Sequence, residues 1–414
     1  MISTYSRRMC YVLSALNERG ELVTLVKTAK ASIPKGNNYY CPVCQERVML
    51  KTGSNRIWHF AHYHDASCGT SEAESDYHLK GKELLYEWFV SQNMQVDIET
   101  YFPNIKQRAD LYVKSPFQIP IEFQCATIDS ALFTKRTNQY MNINQKPLWI
   151  LGGNRLRRIG TQLFRLHQMD WHALQETNHS SHRPFLLYFC PDSNKFALIT
   201  NITPYSTTKA IGHIQYFSRN QLSFHSLYEG NIKFHHNQLN DKEWLQVKEQ
   251  WRVFRYRQQT PAFQYVNAMF QSQTSDVTLF PGEAGLPTHY SYWIETAPHL
   301  WQSWLLIQCV MSRSEGSTFQ FRDVYDRFKQ LVSRGIFKIR KLPLVKQSHY
   351  SFALMNYLLL LCDLGLLSRV GKSKFLKKKE IVLPYTLEQA LQMDEQVQTI
   401  LNQKRWITSF FQLE

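Results

Sequence analysis

Arg108-Ala-Asp-Leu-Tyr-Val113, followed after Pro116 by Ile119-Pro-Ile-Glu-Phe-Gln-Cys125, is the stretch whose reading decides the fold. Two short apolar runs on either side of a proline-containing turn read as a β-hairpin, and each run carries an acid. A turn centred near residues 115–118 sets Asp110 opposite Phe123, beside the Glu122 and Gln124 side of the partner strand. Two carboxylates converging with little nearby to neutralise them form an oxygen site for a hard divalent cation. The same acids could be solvated groups on a hairpin edge. Glu122 lies between apolar Ile121 and Phe123 in a run that reads as buried, which favours the ligand reading. That reading needs both side chains on one face and neither locked in an ion pair of its own.

Upstream, residues 74–90 have helical spacing, with Leu79, Leu84, Leu85, Trp88 and Phe89 as the apolar stripe. Glu74, His78 and Lys82 are four residues apart and share one face. Glu74 either completes the hairpin's cation site or caps the helix, since acids favour a first helical turn. Asp97 and Glu99 alternate with Val96 and Ile98, which predicts that both acids face solvent. Downstream, residues 128–144 form a polar helix carrying Lys135, Arg136 and Tyr140, and residues 147–151 return as a buried strand. The order is helix, three strands, helix, strand.

Composition bounds the partners. The 414 residues are 43% apolar and 14% aromatic, enough for two to four globular domains. Lys and Arg number 48 against 33 acids, a net charge of +15 and a pI near 9.3, which favours a polyanionic partner. Charge alone does not separate nucleic acid from an anionic membrane surface. Met1 to Cys10 has no long apolar core of a signal peptide. The longest apolar run, Ala353 to Leu367, contains Asn356 and Asp363 and is shorter than the ~20 residues of a membrane span. These features predict a soluble, cytoplasmic protein with no membrane span. There is no GxxxxGK[ST] phosphate loop, so an ATP motor is not expected.

The eight cysteines do not make a disulfide framework, and their clustering at 41, 44 and 68 points to metal. Cys41-Pro-Val-Cys44 is a knuckle that brings two thiolates to one ion, and His59, His62, His64 and Cys68 follow. Zinc takes four ligands: Cys41 and Cys44, with His62 and Cys68 favoured to complete the set and His59 as the alternative. Such a closed site is structural, tying together a module too small to hold itself.

Cys41-Pro-Val-Cys44, His59-Phe-Ala-His62, Glu74-Ser-Asp-Tyr-His78, Arg108-Ala-Asp110, Ile121-Glu-Phe-Gln124 and the segment from Arg136 to Tyr140 before Leu148-Trp-Ile resemble the PD-(D/E)xK nuclease superfamily. The likeness is closer to the competence protein CoiA family, which joins a cysteine/histidine module to such a core. The resemblance covers roughly the first 150 residues. Gln124 stands where the superfamily usually has its catalytic lysine, and the family also carries glutamine there. It implies an α/β multidomain chain opening with a small β-rich zinc module (1–71) and a PD-(D/E)xK restriction-endonuclease-like core (72–160); the residues beyond read by their own pattern as a mixed β/helical middle region (161–270), a polar, turn-rich linker (271–290) and a mostly helical C-terminal domain (291–414).

The resemblance further implies catalytic roles for Glu74, His78, Asp110, Glu122 and Gln124, with Mg²⁺ or Mn²⁺ at Asp110 and Glu122 in addition to structural zinc. It places Lys82, Arg108, Arg136 and Tyr140 at the DNA. Each has a plainer alternative. His78 and Lys82 touch the scissile phosphate or are ordinary exposed residues. Gln124 orients a water or contacts the phosphate, and Arg136 and Tyr140 hold the DNA backbone or pack their helix on the sheet. The implied function is DNA processing in natural transformation, by metal-dependent phosphodiester hydrolysis of incoming single-stranded or branched DNA. The alternatives are a non-catalytic DNA-binding accessory protein and an adaptor that recruits recombination proteins.

Beyond residue 150 the signals are more general. Gly152-Gly-Asn-Arg155-Leu-Arg-Arg158 is a basic loop or a phosphate-contacting rim. Phe185–Cys190 and Lys195–Thr200 form a hairpin, with strands expected at Ile211–Phe217 and Leu222–Leu227. A helix over Lys242–Gln258 interleaves Trp244, Trp251, Phe254 and Tyr256 with arginines, which suits inward packing more than base stacking. Helices at His299–Ser312, Phe321–Val332 and Tyr350–Leu364, followed by extended runs around Gly371-Lys-Ser-Lys374, resemble a winged helix. A helical docking domain fits the same pattern.

Overall fold

The computed structural model describes residues 11–26, 32–53, 57–63, 68, 74–176, 184–232, 241–253 and 260–410. His64, Cys10, Phe254 and Tyr256 lie outside the described residues. The chain divides into two compact units. The first is Met1–Leu156, Gln168–Thr200 and Ile214–Phe234; the second is Arg157–His167, Asn201–His213 and His235–Glu414. The architecture is mixed α/β, β-rich at the N-terminus, sheet-rich in the centre and helical toward the C-terminus. No helix among the described residues is long and apolar enough to cross a membrane.

The first unit opens with an antiparallel sheet of six short strands: β1 (Tyr11–Val12), β2 (Ser14–Leu16), β3 (Leu22–Thr24), β4 (Tyr39–Tyr40), β5 (Arg47–Lys51) and β6 (His59–His62), in the order β1-β6-β5-β4-β2-β3. Helix α1 (Asp76–Val90) follows. Its N-cap is Ser75, whose hydroxyl accepts from His78 N at 3.3 Å, so Glu74 is not the cap. Next come β7 (Gln95–Ile98), the short ribbon β8 (Tyr101–Phe102) and β9 (Gln107–Arg108), β10 (Leu111–Ser115), β11 (Ile119–Gln124), helix α2 (Ser130–Asn142) and β12 (Leu148–Gly152). Strand β13 (Leu163–Arg165) belongs to the second unit. Helix α3 (Gln168–His172) follows in the first unit, whose central sheet is completed by β14 (Leu186–Cys190) and the start of β15 (Lys195–Pro204). Its order is β7-β10-β11-β12-β14-β15, with β12 parallel to both of its neighbours.

Helix α1 lies on this sheet through Leu79, Leu85, Trp88 and Phe89. It crosses so closely that a Cβ at Gly81 would meet the Phe123 ring at 1.9 Å, which explains a glycine inside a helix. Side chains alternate along β11, so Phe123 faces α1 and Glu122 faces α2. The hairpin ladder pairs Leu111 with Ile121 and Val113 with Ile119, one residue away from the expected register. One step beyond, Asp110 is level with Glu122 rather than Phe123.

Three expectations are corrected. Residues 222–227 do not form a strand: Phe224–Glu229 is a helix, capped by Ser223 and ended by Gly230 at φ +73°. Residues 271–290 are not a loose linker, because Val277, Phe280, Ala284 and Leu286 are buried in the second unit. Glu99 is 4% exposed rather than solvated. Strand β7 ends at Ile98, and Glu99 takes a left-handed φ of +55° that breaks the alternation on which the expectation rested.

In the second unit, β13 pairs antiparallel with the start of the strand Lys209–Ser218. Helices Asp241–Val253, Pro261–Gln271 and Pro298–Leu305 follow, the last continuing as a wider turn to Met311. After them come strand Thr318–Gln320, helices Phe321–Ser333 and Tyr350–Asp363, strands Leu367–Arg369 and Lys374–Lys377, and helix Leu387–Phe410. Arg252 is buried, with two 2.7 Å bonds to Asp394, and Lys248 joins them at 2.7 Å.

His299 lies beside this group, its ring 4.5 Å from Trp251 and 5.6 Å from Phe280. Burial, helped by the Arg252 charge, drives its imidazole down to about 3. Below pH 6.5 the unfolded chain therefore gains a proton that the folded chain refuses. Stability should fall by about 1.4 kcal/mol per pH unit as pH drops from 6.5 toward 3. Urea unfolding of wild type and His299→Phe between pH 7 and 5 checks this: the variant's profile should be flatter by one proton, and parallel profiles would refute it.

Candidate functional site

Two clusters of metal-ligating side chains occur among the described residues, both in the first unit. In the first, Cys41, Cys44, His62 and Cys68 each offer an atom within 4.8 Å of the others. Cys41 and Cys44 come from the turn between β4 and β5, where Gln45 N and Val43 N bond back to Cys41. His62 ends β6. The Cys41 and Cys68 sulfurs are 4.0 Å apart, and Cys44 Sγ is 3.4 Å from His62 Nε2. All three cysteines are free thiols. Tetrahedral zinc with bonds near 2.3 Å to sulfur holds its ligands roughly 3.8 Å apart, so the donor set and its spacing both fit zinc. Burial, with Cys41 and Cys68 close by, pushes the Cys44 thiol up to about 12, a penalty that a cation would reverse. His59 is not in the cluster: its Nδ1 lies 2.8 Å from Ile57 O and its ring packs 4.5 Å from Tyr11.

The second cluster joins Glu74, His78 and Asp110. His78 bridges the two acids, with Nδ1 3.2 Å from Glu74 and Nε2 3.4 Å from Asp110. Asp110 sits where β10 begins, and its carboxylate accepts from Phe123 N at 2.8 Å, replacing a ladder carbonyl. Burial opposes ionisation of both acids. For Glu74, Lys82, His78 and Arg108 outweigh it and hold the carboxyl near 2; for Asp110, chiefly His78 holds it well below the usual range. Burial would depress His78, yet Asp110 and Glu74 raise it to about 10.

Lys82 is fully buried. Its ammonium is 2.5 Å from Glu74, 2.6 Å from Glu99 and 4.0 Å from Asp110. Its expected contact with DNA is therefore corrected: the helix face that carries it turns inward. Sequence reasoning had set Glu99 in solvent and so missed its part in this cluster. Its carboxylate accepts from Leu13 N, Ser14 N and Ser14 Oγ as well as Lys82. Those backbone donors lie 86 and 85 residues earlier, beyond the reach of any local pattern.

Glu122 does not join Glu74, His78 and Asp110. It is 1% exposed and lies 2.5 Å from Arg136, and Tyr140 donates to it at 2.7 Å. Burial pushes it up to about 7 against the pull of Arg136, and the charge of Asp110 adds to the rise. The expected sharing of one cation by Asp110 and Glu122 is thus revised, because Glu122 points to the α2 side of its strand. Tyr140 is wholly buried, so of its two expected roles it takes packing rather than DNA contact. Arg108 lies 3.4 Å from Glu74, and the Gln124 amide donates to Ala126 O at 3.0 Å. Arg155, in the basic loop, pairs with Asp170 at 3.1 Å.

Comparison with known proteins finds three consecutive matches. Residues 24–71 match the family model described as competence protein CoiA, N-terminal domain; 74–232 match its nuclease-like domain and 239–391 its C-terminal domain. Competence protein CoiA of Bacillus subtilis (strain 168) is 25% identical over 346 residues, covering 82% of this chain and 90% of that protein. With three consecutive domain matches in family order, the chain belongs to the competence protein CoiA family.

Proposed function

We propose that this chain is a divalent-metal-dependent nuclease that processes DNA during natural transformation. The observation that carries this reading is the convergence of Glu74, His78 and Asp110 within one ligand shell's reach in the nuclease-like domain. Two carboxylates and an imidazole suit Mn²⁺, and Mg²⁺ through the oxygens. A bound ion at such a site polarises the phosphate and lowers the pKa of a coordinated water. The chain's own residues do the rest. Asp110 is fixed by Phe123 N, and Glu74 is flanked by Lys82 and Arg108, so both carboxylates stay ionised. Glu122, close to neutral pH in its titration, is the next acid available when Arg136 turns to a DNA phosphate. Gln124 is an amide and takes no proton; its role is orientation. The Cys41, Cys44, His62 and Cys68 set holds a structural zinc.

A second reading has an observation of its own. Arg136 already neutralises Glu122, and Lys82 already neutralises Glu74, as expected of a DNA-binding accessory protein that keeps the fold without turnover. Purified full-length protein with labelled single-stranded, duplex and branched DNA separates the two. Cleavage that needs added Mn²⁺ or Mg²⁺ is the expected result. Binding without cleavage in either ion would replace the nuclease with the accessory protein.

A further inference from the structure

The second unit concentrates the chain's charge. Between Arg313 and Glu380 there are fifteen Lys and Arg against five acids, a net of +10 out of the chain's +15. The same segment runs strand, helix, helix, strand, strand, with its three strands in the order Thr318–Gln320, Lys374–Lys377, Leu367–Arg369. In winged helices the helix before the final hairpin enters the major groove. Here that helix, Tyr350–Asp363, contains no Lys or Arg. Its outer side is also partly covered, although Phe352 remains 44% exposed. Phe352 packs edge-on at 5.3 Å from Tyr290, and Asn356 accepts from His289 N at 2.7 Å. Leu360 and Leu364 pack against Leu286, Val397 and Leu401, the last two from the C-terminal helix.

The hairpin tip differs in each respect. Lys372, Lys374, Lys378 and Lys379 are exposed, and residues 364–379 contain no acid. Arg369 does not add to the exposed set of free ends. Its guanidinium donates to Gly371 O at 3.1 Å and Lys372 O at 2.6 Å, closing the tip into one shape. Lys377 is buried, bonded to Arg313 O and Glu380, and anchors the strand behind it.

We propose that this hairpin is a second nucleic-acid site, one that grips the phosphate backbone and reads no base sequence, the neighbouring helix carrying no Lys or Arg and being covered at its Leu360 end by the C-terminal helix. It shares with the nuclease reading only the premise that DNA is the partner, and it is tested by binding rather than cleavage. Full-length wild type and K372E/K374E/K378E are titrated by fluorescence anisotropy against two labelled duplexes of unrelated sequence, without added divalent ion, over a range of salt. The variant should bind both duplexes about 10²-fold more weakly at low salt, with a log K versus log salt slope reduced by roughly two to three, about 0.9 for each phosphate that is no longer neutralised. The neutral variant K372Q/K374Q should fall between, and Phe352→Ala should bind as wild type. Unchanged binding in the charge-reversed protein overturns the proposal. So does weakening confined to one sequence, or weakening in Phe352→Ala that wild-type-like melting shows is not unfolding.

Discussion

Asp110→Asn is expected to lower metal-dependent DNA cleavage by at least ~10³-fold, a barrier increase of about 4 kcal/mol. The substitution is chosen because an amide oxygen can still accept the Phe123 N–H that the carboxylate holds at 2.8 Å, so the start of β10 keeps its shape. What disappears is the negative charge, which His78 and Lys82 now share and which a divalent ion would use. Glu122→Gln is expected to do less. It leaves Tyr140 a partner but strips Arg136 of its counter-charge, and it does not touch the Glu74, His78 and Asp110 shell. Gel assays of both variants, with circular dichroism as a check on folding, give the answer. If Asp110→Asn cleaves like wild type, the hydrolytic site is elsewhere or absent.

The second large effect concerns the four-ligand cluster. One zinc per chain is expected, measured by elemental analysis of the purified protein, falling to near zero in Cys41→Ala. A structural zinc of this type contributes an apparent ~10–16 kcal/mol, more than the stability of a typical domain. The six strands of the N-terminal sheet are only two to five residues long, and the four ligands tie the turn between β4 and β5 to the end of β6 and to Cys68. Removal of zinc should therefore expose residues 11–68 to protease while helix Tyr350–Asp363, in the other unit, stays protected. Because Cys44 resists ionisation when no cation is present, zinc binding must expel thiol protons, and affinity should fall as pH drops. A Cys41→Ala protein with the wild-type digestion pattern would show that the cluster is not what holds the sheet.

Some of this was legible because the information is local. The Cys-x-x-Cys knuckle and the strand that follows are short-range patterns, and the same four side chains meet in the structure. The hairpin at Asp110 and Glu122 was legible as a hairpin. Its register slipped by one, since the turn's geometry is not written in residues 115–118 alone. In a regular ladder the observed register would set Asp110 and Glu122 on one face; Asp110 instead lies just before β10 begins, and its carboxylate turns to Phe123 N. Leu222–Leu227 has strand-forming residues, but Ser223 as a cap and Gly230 as a stop make it a helix. The fates of Lys82 and Glu99 were illegible for a different reason. Four-residue spacing shows which helix positions share a face, not whether that face meets water or a carboxylate from another strand.

The grip of Leu13 and Ser14 on Glu99 sets a limit on how this protein can be cut. A fragment starting after residue 71 would begin neatly at the nuclease-like match, yet it would strand Glu99 with one cation and three missing donors. The boundary between the first two domains is therefore a seam in sequence only, and whoever trims the chain there removes a wall of the site along with its neighbour.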